Sequence, residues 1–181
     1  MKTLIIHPQD VTTDFLSVAY KTMINKTIVK TNKSINDIRG LIDSHCRVMM
    51  MGHGSPSGLF SIGQFGEPSG LIIDHSMADL LRFKNNNLFI WCNADRFVNE
   101  FNLKGFYTGM FISEIEEAWY CGLHNITQDM IDESNLVFCE LLSKVIQDKT
   151  EVIHHYILKQ YGLLAKKNPV ASYNHKRLYA K

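Results

Sequence analysis

The sequence predicts an α/β sandwich of three layers built on a mostly parallel central sheet. Two observations lead there. Short apolar runs without alternation, such as "CRVMMMG" at 46–52 and "NLFIWC" at 87–92, suit strands covered by helices on both faces. Segments with apolar residues at helical spacing lie between such runs, so strands and helices alternate along the chain.

The elements follow in order. "TLIIH" (3–7) is a first strand closed by Pro8, and "QDVTTDFLSVAYKTM" presents Val11, Phe15, Val18 and Ala19 as a helical face. "KTIVKT" (26–31) is a short β-branched second strand. Ser34 can cap a helix whose Ile35, Ile38, Leu41 and Ile42 repeat at helical spacing. "CRVMMMG" is the third strand, with Cys46 at its start. A glycine-rich hairpin is then expected, with "LFSI" and "LIID" around Gly63, Gly66 and Gly70. Asp74 can cap the short helix "HSMADLLRF", and "NLFIWC" is the fourth strand. "NADRFVNEF" starts a helix, and "GFYTGMFIS" (105–113) reads as a fifth strand. Two long helices follow, one after Thr127 and one after Thr150, the second ending near Gly162 as its C′ residue.

At 181 residues the chain suits a single domain: a sheet core over 3–120, helices over 127–162 and a tail over 163–181. The basic "KKNPVASYNHKRLYAK" reads as a solvated tail. Hydrophobic residues make up 45% and charged ones 20%, ordinary for a globular protein, and a net charge of +1 favours neither nucleic acid nor a membrane surface. No apolar run approaches the roughly 20 residues of a membrane span. The opening "MKTLIIHPQD" is cut off by Pro8 and Asp10, too early for a secretory signal, so a cytoplasmic location is expected. The four cysteines stand at 46, 92, 121 and 139, which suits no common zinc pattern; free thiols are expected.

In open parallel sheets the site lies beyond the carboxyl ends of the strands. His53 follows the third strand, and Cys92 ends the fourth. Adjacent strands would bring both to one rim. A thiol becomes a nucleophile when a base takes its proton, and histidine can serve as that base and then as acid toward a leaving amine. The Gly54 and Cys92 N–H groups suit an oxyanion. Taken singly, a His-Gly turn and a strand-terminal cysteine are also ordinary structural features.

A hydrophobic strand ending in His-Gly, then a hairpin and helix, then a hydrophobic strand ending in Cys, resembles the caspase-like cysteine peptidases over roughly residues 3–120. The resemblance implies a caspase-like fold, His53 as the catalytic histidine, Cys92 as the nucleophile and Gly54 as an oxyanion donor. Trp91 stands before the cysteine where a small residue is common, and strand alternation lets its ring turn into the core. The resemblance also implies a specificity pocket near the ends of the first and fifth strands. Those ends carry Asp10, Glu114, Glu116 and Glu117 and no arginine, so Asp10, Glu114 and Glu117 are candidate substrate contacts for a basic residue. The alternative for each acid is a helix N-terminal position favoured by the macrodipole.

A protein or peptide substrate is therefore expected, with no metal or organic cofactor; an activating partner or self-association is compatible with these residues. The rival is a catalytically inactive domain of the same fold used for protein recognition. Among other histidines, His7 could line the same rim, and Asp95 could cap a helix. An α/β-hydrolase elbow is excluded because Pro56 stands where its serine must be, and no Gly-Lys-Ser/Thr phosphate loop is present.

Overall fold

The computed structural model describes residues 2–63 and 70–181; Gly66 of the expected hairpin lies outside them. A six-stranded sheet is formed by β1 (Thr3–Ile6), β2 (Lys26–Val29), β3 (Arg47–Met51), β7 (Asn87–Ile90), β8 (Gly105–Thr108) and β9 (Leu178–Ala180). Its order is β2-β1-β3-β7-β8-β9, and every pairing is parallel except that of β9 with β8. A separate three-stranded sheet comprises β4 (Gly54–Ser55), β5 (Gly58–Phe60) and β6 (Leu71–Ile73).

Alternate strand residues face opposite layers, which divides the core in two. On one face Ile5, Met49, Met51, Leu88, Ile90 and Phe106 pack against α1 (Ser17–Tyr20), α6 (Gln128–Val145) and α7 (Thr150–Ala165). On the other, Leu4, Ile6, Val48, Met50, Phe89 and Trp91 pack against α2 (Ile35–Asp43), α3 (Ala78–Arg82) and α4 (Ala94–Glu100). Helices on both faces explain why these strands are apolar without alternation. The expected three layers and mostly parallel sheet are thus observed. Ser34 and Asp74 each accept a backbone N–H at a helix start, as expected of caps, and Thr127 does the same for α6.

Several expectations are corrected. Val11 is 88% exposed and falls off the predicted face of the first helix, whereas Phe15, Val18 and Ala19 pack on the core as expected. The segment opens as a 3-10 turn over Val11–Leu16, whose period near three buries Thr13, Leu16 and then Ala19. Cys46 is exposed because it precedes Arg47, the first residue of β3 paired to β1. The fifth strand stops at Thr108, after which the chain turns and returns Phe111 toward Cys92. Gly162 does not end α7, which continues to Ala165. It is a close-approach position: a Cβ there would lie 3.1 Å from the His175 ring.

The largest correction concerns residues 163–181, which are no solvated tail. They contain α8 (Pro169–His175), capped by Asn168, and β9, which completes the sheet against β8. Val170, Ala171 and Leu178 are buried, so the basic residues decorate a folded segment. Among the described residues no helix is long and apolar enough to cross a membrane.

Candidate active site

The order β2-β1-β3 reverses the direction of strand succession at β1, which leaves a crevice beyond the carboxyl ends of β1 and β3. Residues following both strands meet there. Asp10 caps the 3-10 turn through the Thr12 N–H at 2.9 Å, and the Thr12 hydroxyl lies 2.6 Å from both Asp10 Oδ1 and His53 Nε2. A carboxylate only accepts, so Thr12 donates its hydroxyl proton to Asp10 and accepts from His53 Nε2–H. Asp10 Oδ1 also lies 3.8 Å from Nε2, and its carboxyl is held below the usual range, first by the Thr12 hydroxyl. Thr12 and Asp10 therefore orient the imidazole, a role not assigned from the sequence. Asp10 faces His53 from a small cleft and does not line the two larger cavities described below.

β3 and β7 are hydrogen-bonded neighbours, with Met51 opposite Ile90. His53 and Cys92 each follow by two residues, and both line one small cavity of about 20 Å³ together with Gly52, Trp91, Phe111 and Ser113. Trp91 turns into the core, as alternation allows, and its indole donates to Ser55 O at 3.0 Å. Gly54 must be glycine because a Cβ would collide with that indole. The tryptophan thus braces the turn carrying His53 and Gly54.

Cys92 does not sit as an activated thiol. Its Sγ–H is shared between Phe111 O at 3.3 Å and Glu117 Oε1 at 3.4 Å. Burial, and then the Glu117 charge, push its pKa well above the ordinary thiol value. Glu117 is fixed in turn, since its Oε2 accepts from Ser113 N–H at 2.7 Å and the Ser113 hydroxyl at 3.0 Å. Glu117 lies in the first turn of α5 (Ile115–Tyr120). A carboxylate bonded to the Cys92 thiol was not foreseen; only the folding of α5 back over the β7 end creates the contact.

Ligand atoms of His53, Glu114 and Glu117 lie within 4.8 Å of one another, so these three residues could hold a metal ion. Burial raises the Glu114 pKa; the negative Glu117 and Glu116 add to this, while His53 opposes it. Two open cavities flank the cluster. One, of about 340 Å³, is lined by His53, Gly54, Cys92, Glu116, Glu117 and Tyr120 among others. The other, of about 570 Å³, runs between the segments after β1 and β8 and is lined by Val11, Thr12, Phe15, Glu114, Glu116 and Asp132 among others. Among the described residues neither cavity is lined by a lysine or arginine.

The other histidines fall outside the site. His7 is not a rim residue: it is buried, bonded to the Tyr20 hydroxyl at 2.7 Å, and pushed down to about 4, chiefly by burial. His45, His154 and His175 bond backbone carbonyls. The thiols are free, as expected.

No family model, curated protein or solved structure matches the chain.

The shielded thiol has a direct chemical consequence. With iodoacetamide at pH 8, Cys92 is expected to react much more slowly than exposed Cys46, since burial both disfavours its thiolate and keeps the reagent away. Reactivity at Cys92 should rise only at higher pH than for an ordinary thiol, and Glu117→Gln should accelerate it. Peptide mapping after timed alkylation measures both; Cys92 reacting first would contradict the geometry.

Proposed function

We propose that this chain is a caspase-like cysteine endopeptidase that cleaves after a basic residue. One observation carries the reading: a thiol and an imidazole follow neighbouring parallel strands and face a common cavity beside carboxylates that lack any lysine or arginine among its described lining residues.

In this mechanism the substrate's arginine or lysine side chain enters beside Glu116 and Glu117. Pairing with that cation draws Glu117 from the Cys92 thiol and lowers the cost of forming a thiolate. His53 takes the thiol proton as Sγ attacks the carbonyl carbon, with the Gly54 and Cys92 N–H groups receiving the oxyanion. Collapse breaks the C–N bond while His53 gives its proton to the leaving amine. Water, deprotonated by His53, then hydrolyses the thioester and restores the thiol. Thr12 and Asp10 hold the ring through both proton transfers, Glu114 adds negative potential, and the groove beyond it takes the flanking peptide. No proton transfer here needs a metal or organic cofactor. A cytoplasmic location belongs to the same reading.

The shielded resting thiol favours a second reading, a recognition domain of the same fold that binds basic peptides without cutting them. Fluorogenic peptides with Arg, Lys or Asp before the reporter separate the two. Turnover of the Arg and Lys peptides is expected, faster than the Asp peptide by on the order of 10²-fold, because like charges brought together cost several kcal/mol. Equal turnover of the Asp peptide would rule out acidic selection. Binding of the Arg peptide without turnover would establish the recognition domain.

A further inference from the structure

We propose that His53, Glu114 and Glu117, with the Cys92 thiolate as fourth donor, form a zinc site whose occupation blocks this crevice. The site stands on its ligand geometry and does not require that it hydrolyse peptides.

The donor atoms of the first three residues already lie within 4.8 Å of one another. Zinc bonds of about 2.0–2.3 Å in a tetrahedron set ligand separations near 3.4 Å, so rotations within the side chains close the shell. Cys92 Sγ lies 3.4 Å from Glu117 Oε1 but outside the 4.8 Å group, so the thiolate must swing toward the ion to become its fourth donor.

Two donors are oriented before any ion arrives. Glu117 is held through Oε2 by the Ser113 N–H and hydroxyl, leaving Oε1 toward the thiol. His53 is held through Nε2 by Thr12, itself bonded to Asp10. Outer partners of this kind fix metal ligands and strengthen their binding.

Electrostatics point the same way. Glu114 is half-buried on the same segment as the carboxylates of Glu116 and Glu117, which concentrates negative charge at the cluster. A bound dication would offset that charge. The mixed nitrogen, oxygen and sulfur set selects zinc over magnesium or calcium, which take oxygen donors. On binding, the Cys92 S–H bond breaks, a Zn–S bond forms and the proton leaves to buffer. The ion would then occupy the nucleophile, the base and the acidic rim together.

Cobalt titration of the metal-free protein tests this without a substrate. One Co²⁺ per chain is expected, with the near-ultraviolet charge-transfer band of thiolate ligation and the intense visible bands of tetrahedral geometry, both displaced by Zn²⁺. Zinc affinity, read by chelator competition, should fall by at least about tenfold in His53→Ala, Glu114→Gln and Glu117→Gln. Cys92→Ala should abolish the charge-transfer band, whereas Cys121→Ser should change neither signal. Circular dichroism confirms that each variant folds, and Glu114→Gln tests the site even if Glu117→Gln disturbs α5. Unchanged affinity in the His53 and Glu114 variants, or loss of the band in Cys121→Ser, would overturn the site. Because the readouts are spectral, failure here leaves the peptidase reading standing, and the absence of turnover leaves the zinc site standing.

Discussion

Cys92→Ala is expected to lower turnover of an arginyl peptide by on the order of 10⁴-fold or more, and His53→Ala by a similar factor. The two groups act in one proton transfer, so the double variant should lose little beyond either single one. Acidic grooves on both sides would survive, so peptide binding should weaken far less than turnover. Thr12→Val tests the orienting pair separately. It removes the hydroxyl that accepts from His53 Nε2 while keeping the branched shape. A loss of roughly 10- to 100-fold, carried by kcat, is expected from a misdirected ring. Thermal unfolding should hardly move in any of these variants. Turnover surviving Cys92→Ala would assign the nucleophile elsewhere, and full activity in His53→Ala would remove it as the base.

Arg47→Ala is expected to destabilise the fold by about 4 kcal/mol, seen as a fall in Tm on the order of 10 °C. Arg47 is fully buried at the start of β3, at the opposite end of the sheet from the site. Its Nε donates to Asn86 O, and its Nη1 donates to Ile146 O at 2.6 Å, so one guanidinium ties β3 to the turn before β7 and to the end of α6. Burial lowers its pKa to about 10, partly offset by Asp148, and it remains a cation at neutral pH. Alanine would leave a cavity and two carbonyls without their donors. Arg47→Met is expected to cost clearly less, because it keeps most of the volume and removes a buried charge. Chemical denaturation of both variants measures the difference. A methionine variant as unstable as alanine would mean that the hydrogen bonds, not the filled volume, hold this end.

The contrast between Arg47 and its neighbours marks how far local pattern reaches. The run Val48–Met51 announces a covered strand, and it is one. The arginine before it gives no local sign that two distant carbonyls await it. The same holds at the site. His53 after β3 and Cys92 after β7 were legible, because an apolar run that ends at a turn marks a strand end, and strand ends in parallel sheets share a rim. Thr12 was not singled out, since nothing in "QDVTTD" distinguishes a hydroxyl that reaches an imidazole from one that caps a turn. Glu117 was legible as an acid near the rim but not as the partner of the thiol. The basic residues after Gly162 suggested a tail, whereas Val170, Ala171 and Leu178 dock it as a helix and an edge strand.

Sequence alone thus determined most of the strands and helices before residue 163 and the rim where His53 and Cys92 gather, because periodicity and strand ends are local properties. Tertiary structure decided the rest: the Asp10–Thr12–His53 chain, the hold of Glu117 on Cys92, the three-residue cluster at His53 and the docking of the C-terminal strand. Each of these joins side chains distant in sequence. Their separation depends on the strand order and on how α5 and α8 fold back, which no local pattern encodes.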